Sequence, residues 1–354
     1  AGGGVWESMK NLQNFQHKSD LTDQDAATRE PRFPNSVMWQ EYTFWVTEVA
    51  PNWDSHTRAK RLSVEGGICP MSRGVIWPLA IGNNLHLNRD LFEIMSQKAR
   101  HAREQAASHP HSPAGSAALP FGKERSAQLV ENDLSRTLAH LGLFTQAGPY
   151  AEELRRVLEA YCFYRPDIGY VQGMSFQAAI LVLHCPDDFT AFVCLANLLS
   201  RPFFLSFYRD KAPSLQLRMA IYNRVLVANL PDVARHLKHI DVDAGMYCSL
   251  WFVTLFAKQL PVALCALVWD RYLFQGEAFM YRAAVGIIRV LAPTLKSMDT
   301  EEALSLLLGN IAGSLPNLSQ VFASMESVKM PRDAEQMLDR LTNDESVQEF
   351  KRET

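Results

Sequence analysis

Residues 130–137 read Val130-Glu131-Asn132-Asp133-Leu134-Ser135-Arg136-Thr137, and residues 169–174 read Gly169-Tyr170-Val171-Gln172-Gly173-Met174. Between these motifs lies a strong helical pattern, which has Pro149 in its first turn and continues to about Tyr164. Apolar residues recur at helical spacing on one face, opposite a charged face. The apolar set is Leu154, Val157, Leu158, Tyr161 and Cys162. Packed neighbours can bring the two ends of such a helix together, so we expect Arg136 and Gln172 to project from adjacent loops.

An arginine and a glutamine on neighbouring loops suit phosphoryl-transfer chemistry. A guanidinium supplied in trans neutralises charge that develops on the transferring phosphoryl group, and a glutamine amide orients the attacking water. Each residue alone also has an ordinary structural interpretation. Arg136 can be a helix-end arginine paired with a carboxylate, and Gln172 can be a hydrogen-bonded polar residue before a helix. The two motifs together favour the catalytic interpretation.

Four segments, in the same order along the chain, resemble signatures of the TBC domain family. Residues 130–137 resemble its IxxDxxRT motif, and residues 169–174 resemble GYxQGM. Residues 67–77 resemble the opening GIPxxxRGxxW, and residues 268–277 resemble the later WDxxxxxG segment. The resemblance covers about residues 60–325. It implies an all-α, two-lobed TBC-type domain without a β-sheet.

The resemblance also implies a function. TBC domains are GTPase-activating proteins for Rab-type small GTPases. Carried over by position, Arg136 is an arginine finger that stabilises charge on the transition-state phosphate. Gln172 is a glutamine finger that orients the attacking water in place of the GTPase's own glutamine. The partner is then a GTP-bound Rab-family GTPase, which brings GTP and Mg²⁺ with it, so the chain needs no cofactor or metal of its own.

The family motifs assign supporting roles to further residues. Asp133 and Thr137 are expected to support the arginine loop. The residues expected to shape the glutamine loop are Tyr170, Gly173 and Met174. The residues expected to act as framework or partner contacts are Arg73, Trp77, Trp269 and Asp270.

The helical period continues along almost the whole chain, and no useful stretch alternates with period two, which predicts an all-α fold. We predict an N-terminal extension with one amphipathic helix at 1–58, an N-terminal lobe at 59–205 and a C-terminal lobe at 206–330. A helix and a charged tail follow at 331–354. An insertion at about 106–122 is rich in Ala, Ser, Gly, Pro and His, and this composition predicts a flexible segment.

Capping and helix-breaking residues predict several helix ends. Asn35 or Ser36 caps the first helix and Pro51 ends it. Asp187 caps a later helix, which Pro202 closes. The apolar stripe after Asp243 predicts one helix over residues 243–259. The sequence leaves open whether the amphipathic helix at the C-terminus docks or hangs free.

Composition narrows the class of protein. The 354 residues are 47% hydrophobic, with a formal net charge of −3, which creates no field that attracts nucleic acid. No run approaches the ~18–20 apolar residues of a membrane span. Six scattered cysteines without a CxxC pair indicate buried free thiols and a cytoplasmic location. Peripheral recruitment to endomembranes stays open. A metal site at His236-x-x-His239 is not expected, since these histidines lie on a polar helical face without a nearby cysteine.

Two other functional classes compete with the catalytic one. A catalytically silent TBC scaffold would bind a Rab GTPase without accelerating hydrolysis, and the presence of both Arg136 and Gln172 argues against it. A plain helical adaptor would lack one or more of the four motifs, and all four are present. The sequence does not identify the Rab, the membrane compartment or the oligomeric state.

Overall fold

A computed structural model describes residues 37–55, 68–108, 126–208 and 212–353. In these ranges the backbone forms helices, turns and connecting loops, and no β-strand occurs among them. The prediction of an all-α fold is confirmed for this part of the chain. The predicted domain boundaries stay predictions.

An N-terminal group of helices packs around one central helix. The group comprises α1 (Val37–Phe44), α2 (Arg73–Ile81), α3 (Arg89–Ser108), α4 (Ser126–Leu134), α5 (Ala151–Tyr164), α6 (Met174–His184) and α7 (Asp188–Leu199). Helix α5 contacts α3, α4, α6 and α7. The apolar stripe predicted for α5 is buried, and so is nearly all of α6. Helix α4, which precedes Arg136, and helix α6, which follows Gln172, therefore both pack against α5.

A C-terminal group of helices follows. It comprises α8 (Pro202–Tyr208), α9 (Ala212–Asn229), α10 (Pro231–His239), α11 (Ala244–Val253), α12 (Val262–Gln275), α13 (Glu277–Leu295), α14 (Thr300–Leu308), α15 (Leu318–Ser327) and α16 (Arg332–Glu353). Helix α8 contacts α7 on one side and α9 on the other, and α13 packs against α9, α11, α12 and α15. The short helix α8 therefore links the two groups.

A buried polar cluster joins α2 to α12. Arg73 Nη2 donates to Asp270 Oδ2 at 2.7 Å, and Trp77 Nε1 donates to Asp270 Oδ1 at 2.8 Å. The Trp77 ring stacks on Trp269 with centroids 5.3 Å apart. All four side chains are buried, with at most 1% of each residue exposed. They offer no surface to a partner, so their burial supports the framework interpretation rather than partner contact.

Local sequence signals set two helix starts, of which the cap at Asp187 is as predicted. Asn88 Oδ1 accepts from the N–H of Leu91 at 2.9 Å at the start of α3, and Asp187 Oδ1 accepts from the N–H of Thr190 at 2.7 Å before α7. Short polar side chains at these positions satisfy N–H groups that the first helical turn leaves without partners. Helix α5, in contrast, begins at Ala151, so Pro149 precedes it rather than occupying its first turn.

Two predicted helix ends differ in the structure. Pro202 was predicted to close the preceding helix, but it is the first residue of α8. The axis of α8 is bent 81° from that of α7. Proline is well tolerated in a first helical turn, where its missing N–H is not needed. The helix predicted over residues 243–259 ends at Val253, because the chain turns there through left-handed backbone at Leu255 and Phe256.

The N-terminal helix also follows a different path. After α1 the chain continues as a π-helical turn at Trp45–Val49 and a 3₁₀ turn at Ala50–Ser55, so Pro51 does not end the helical path. The predicted caps Asn35 and Ser36 lie outside the described residues. Helix α15 was not predicted. Helix α10 was recognised only as a polar helical face that carries His236 and His239, although Val233 and Leu237 give it a buried apolar side.

The C-terminal helix docks on the rest of the fold. Helix α16 packs against α9 and α8, and Ala334, Leu338 and Leu341 are buried. This contact answers the question that the sequence left open for residues 332–343. At the predicted insertion, residues 106–108 complete α3, and the remainder lies outside the described residues.

One described helix is long and apolar enough to cross a membrane by length and composition alone. This helix is α13, and a bent pair formed by α7 and α8 also passes the same criterion. The apolar window of α13 is 61% buried inside the fold. Packing among neighbouring helices accounts for that composition.

Candidate functional site

Arg136 lies in the turn directly after α4. Its N–H donates to the Asp133 carbonyl oxygen at 3.2 Å, and its side-chain Nε donates to Asp133 Oδ1 at 2.7 Å. The arginine side chain is 53% exposed, whereas the Asp133 side chain is 2% exposed. The ordinary interpretation, a helix-end arginine paired with a carboxylate, therefore describes the pairing seen here. Nη2 of the same guanidinium also forms an ion pair with Asp133 Oδ1, so the group reaches the surface while one edge of it is held by the carboxylate.

The Asp133 carboxylate also binds the glutamine motif. Tyr170 Oη donates to Asp133 Oδ2 at 2.6 Å, and the N–H of Gly173 donates to the same oxygen at 3.4 Å. Burial raises the pKa of Tyr170, and the negative charge of Asp133 raises it further. The phenol therefore remains protonated and keeps donating. One buried carboxylate thus connects the two loops that the sequence predicted to be adjacent.

Two serines complete the connection between the loops. Thr137 Oγ1 donates to the Asp133 carbonyl oxygen at 2.6 Å and lies 2.7 Å from Ser175 Oγ. Ser126 Oγ accepts from the N–H of Tyr170 at 3.0 Å. Sequence reasoning did not single out Ser126 or Ser175. Ser175 directly follows the second motif, which was the available signal, but Ser126 has no sequence signal that separates it from other serines.

The glutamine loop presents Gln172 outward. Gly169 and Gly173 adopt φ values of 65° and 102°, and the N–H of Val171 points at Met174 Sδ at 3.3 Å. Met174 is fully buried at the start of α6, whereas Gln172 is exposed. Within the described ranges, no hydrogen bond holds the Gln172 amide. The loop is therefore anchored on both sides of Gln172, whose own side chain is exposed to solvent.

A third segment supports the glutamine loop from the C-terminal group. Gln177 Nε2 donates to the Val253 carbonyl oxygen at 2.5 Å. A Cβ atom placed on Gly173 would lie 3.2 Å from Thr254 Cγ2. The turn that follows α11 is therefore in close contact with the loop that carries Gln172.

Gly173→Ala is expected to destabilise the fold and to displace Gln172. A left-handed backbone costs a non-glycine residue ~1–2 kcal/mol, and the new methyl group would press on Thr254. Urea unfolding measures the loss. The matched control is Gly142→Ala, since Gly142 has a φ of 67° and open space around its Cβ position. Equal stability of Gly173→Ala and the unmodified protein would contradict the strain described here.

The described part of the chain offers no metal-binding cluster at this site. In the described ranges, no three His, Cys, Asp or Glu side chains are grouped closely enough to hold a metal ion. The groups available for chemistry are the exposed guanidinium of Arg136 and the exposed amide of Gln172. Both lie on loops that contact the buried carboxylate of Asp133.

An all-α domain with this pair of exposed groups fits one known class. The family model of the Rab-GTPase-TBC domain matches residues 70–296 of the chain. The chain belongs to this family.

Curated relatives agree with the family model. The chain is 35% identical over 291 residues to TBC1 domain family member 14 of Mus musculus, covering 81% of this chain and 41% of the relative. It is 37% identical over 310 residues to TBC1 domain family member 12 of Xenopus tropicalis, covering 83% and 45%. It is 30% identical to Drainin of Dictyostelium discoideum, covering 74% and 68%. The chain therefore spans less than half the length of these two TBC1 relatives.

Solved structures show the same fold. The Ypt/Rab-GAP domain of Gyp1p aligns with a TM-score of 0.58 at 17% identity, covering 83% of this chain and 98% of that one. A Chlamydomonas flagellar RabGAP TBC domain aligns with a TM-score of 0.54 at 18% identity, covering 85% and 98%. At these identities the likeness concerns the arrangement of helices.

Proposed function

We propose that this chain accelerates GTP hydrolysis by a Rab-type small GTPase in its GTP-bound state, with two catalytic groups supplied in trans. Arg136 stabilises negative charge on the transferring phosphoryl group, and Gln172 orients the attacking water. The observation that carries the proposal is a pair of exposed side chains on two loops that buried Asp133 joins. Asp133 contacts the Arg136 guanidinium on one side and Tyr170 and Gly173 of the glutamine loop on the other.

The geometry of Arg136 supports the first role. An arginine finger has to reach a phosphate on another protein while its backbone is held still, because most of the rate enhancement in phosphoryl transfer comes from positioning and charge. The side chain is 53% exposed, and Nε and Nη2 of its guanidinium contact a carboxylate that is 2% exposed. The planar guanidinium can make forked contacts with phosphate oxygens, which a lysine cannot.

The geometry of Gln172 supports the second role. A group that orients water loses effectiveness if its loop moves, and bonds from Gly173 and Tyr170 to Asp133 fix this loop. The amide itself is exposed. Because Asp133 holds both loops, the positions of the two catalytic groups relative to each other are fixed.

The partner brings the remaining components. In this proposal GTP and Mg²⁺ are bound by the GTPase, and the chain contributes neither cofactor nor metal. The described cysteines are buried free thiols, which is typical of a reducing compartment. We further propose a cytoplasmic location, with peripheral recruitment to endomembranes and a role in vesicle trafficking.

A panel of Rab GTPases tests the proposal. Each GTPase is loaded with GTP, and single-turnover hydrolysis is followed with and without the chain. At least one Rab is expected to hydrolyse GTP far faster in the presence of the chain. Binding to a GTP-loaded Rab without acceleration of any member would instead identify a catalytically silent scaffold, and neither binding nor acceleration would favour a plain helical adaptor.

A further inference from the structure

One polar side chain interrupts the apolar surface of α6. Gln177 lies in the first turn of this helix and is fully buried. Burial of an amide that forms no hydrogen bonds is unfavourable, so a buried glutamine has to bond to partners inside the protein. The partners of the Gln177 amide therefore show what holds it in an otherwise apolar helix.

The nitrogen of this amide binds the end of α11. Nε2 of Gln177 donates at 2.5 Å to the carbonyl oxygen of Val253, the last residue of that helix. The last carbonyl groups of a helix have no N–H partner within it. The N–H groups of residues 255–257, in the turn that follows, donate to other carbonyl oxygens. Among the described residues, Gln177 is therefore the donor that satisfies the Val253 carbonyl group.

The oxygen of the same amide accepts from a third helix. Tyr208 Oη, at the end of α8, donates to Gln177 Oε1 at 3.4 Å. Burial raises the pKa of Tyr208, so its phenol keeps the proton that it donates. Since the Val253 carbonyl group can only accept, the amide nitrogen has to face α11 and the amide oxygen has to face α8. One side chain of α6 thus bonds to two helices of the C-terminal group.

Gln177 lies one helical turn after Gly173, which belongs to the glutamine loop. Residues four positions apart lie on the same face of a helix, so both face the end of α11. A Cβ atom placed on Gly173 would lie 3.2 Å from Thr254 Cγ2 and 3.8 Å from Val253 Cγ1. The glutamine loop and the first turn of α6 therefore contact the same two residues, by packing at Gly173 and by a hydrogen bond at Gln177.

The end of α11 is itself fixed. Leu255 and Phe256 follow it with φ values of 46° and 61°, in the left-handed region that favours glycine, and both are fully buried. Residues in this region persist only where surrounding contacts impose the conformation. Here Trp269 Nε1 donates to the Leu255 carbonyl oxygen at 3.1 Å, and Thr254 Oγ1 donates to the Leu250 carbonyl oxygen at 2.8 Å. The end of α11 therefore gives the glutamine loop a rigid support.

We propose that Gln177 is a positioning residue for Gln172. By holding the first turn of α6 against the end of α11, it fixes the glutamine loop on the C-terminal group, while Asp133 fixes the loop on the N-terminal group. Gln177 is buried, so it forms no contact with the GTPase. This inference rests on the proposed function and adds to it a residue outside the four sequence motifs, through which the C-terminal group controls the position of the water-orienting amide.

Gln177→Met keeps the length of the side chain and removes both hydrogen bonds. With the best Rab from the panel, the maximal stimulated rate is expected to fall roughly tenfold, because a small displacement of a catalytic group already slows a reaction. The chain concentration that gives half-maximal stimulation should stay unchanged, since a buried side chain offers no surface to the partner. An unchanged maximal rate, or an effect confined to the half-maximal concentration, would overturn the proposal.

Asn197→Leu is the matched control for the loss of a buried amide. Asn197 Oδ1 accepts from the N–H of Leu85 at 3.1 Å, and Nδ2 donates to the Val193 carbonyl oxygen at 2.9 Å. These bonds join α7 to the segment before α3 and reach neither catalytic loop. Both variants are expected to lower the melting temperature, but only Gln177→Met should lower the maximal rate. Equal losses of rate in the two variants would reduce Gln177 to a structural residue.

A second substitution shows whether Gln177 acts through Gln172. Effects of two residues that act as one unit are not additive, whereas effects of independent residues are. In a chain that already carries Gln172→Ala, Gln177→Met is therefore expected to cause no further loss of the stimulated rate. A further loss as large as that of the single variant would contradict a role through Gln172.

Gln177→Glu provides a rescue that depends on pH, and it keeps the shape of the side chain should Gln177→Met not fold. Burial raises the pKa of a carboxyl group, and only its protonated form can donate to the Val253 carbonyl oxygen. Stimulation by Gln177→Glu, relative to the unmodified chain at the same pH, should therefore increase as the pH is lowered from about 8 to about 6. An equal loss at both pH values would show that this hydrogen bond does not position the loop.

Hydrogen exchange in the isolated protein gives a readout that needs no GTPase. The N–H of Gly173, which bonds to Asp133, should exchange about fivefold faster in Gln177→Met, as expected for the loss of one supporting hydrogen bond. The N–H of Leu158 in α5 is the internal reference, so that a global loss of stability cancels. Unchanged relative exchange would refute the inference. Faster exchange in a chain that stimulates no Rab would instead keep the support by Gln177 and reject the proposed function.

Discussion

Replacing Arg136 with alanine is expected to reduce stimulated GTP hydrolysis by roughly 10³–10⁵-fold, or about 4–7 kcal/mol in the activation barrier. The loss arises in the transition state, where the guanidinium would neutralise developing charge. The fold should be retained, because the side chain is 53% exposed and Asp133 keeps its bonds to Tyr170 and Gly173, although loss of the ion pair to buried Asp133 is expected to lower stability. Single-turnover hydrolysis with the best Rab measures the effect, and circular dichroism checks the fold.

Two further variants make this test specific. Arg136→Lys should not restore the rate, since a point charge cannot reproduce a planar, forked contact. Arg235→Ala is a matched control, because Arg235 also forms an ion pair with an aspartate three positions earlier and is exposed. The Arg235→Ala variant should stimulate GTP hydrolysis as strongly as the unmodified chain. More than about a tenth of the unmodified rate remaining in Arg136→Ala would exclude the arginine from the role assigned to it.

Asp270→Ala is expected to lower the free energy of unfolding by about 3–5 kcal/mol, because it leaves a buried charge uncompensated. Arg73 is 1% exposed and has its carboxylate partner in Asp270, and Trp77 Nε1 would lose its acceptor as well. Urea unfolding followed by circular dichroism measures the change. The effect is on the connection between α2 and α12, so it should appear without any GTPase present.

An exposed ion pair provides the control for this stability test. Asp232 and Arg235 are 66% and 75% exposed. Asp232→Ala should change stability by no more than about 0.5 kcal/mol, since exposed pairs contribute little. Similar losses for Asp232→Ala and Asp270→Ala would show that burial of the Arg73–Asp270 pair has no special importance.

Helices around the site were predictable where the sequence shows an apolar helical period and has capping or helix-breaking residues at its ends. The apolar stripe of α5 follows from spacing alone, and its burial is as expected. The adjacency of the two loops followed from the same reasoning. The carboxylate that joins them was assigned to the arginine loop only, since no local pattern in the sequence reveals that Tyr170 and Gly173 also bond to Asp133.

The turn after α11 was not predictable for a physical reason. Residues 243–259 keep an apolar helical pattern, and neither Gly nor Pro marks a stop near Leu255 and Phe256. The left-handed backbone there is imposed by bonds to Trp251 and Trp269, and so by tertiary structure. Tertiary contacts of this kind override local helix propensity, so the sequence alone does not reveal the turn.

The most direct test of the two-group mechanism is to measure which protein supplies the glutamine that orients the water. Removing one positioned hydrogen-bonding group typically lowers the rate by ~10²–10³-fold, so Gln172→Ala is expected to lose that much stimulation. Replacing the GTPase's own switch glutamine with alanine, in the presence of the unmodified chain, should reduce stimulation far less. Both variants are measured by single-turnover hydrolysis on the same Rab. Full activity of Gln172→Ala, together with collapse when the GTPase glutamine is replaced, would contradict the mechanism and return the role to the GTPase.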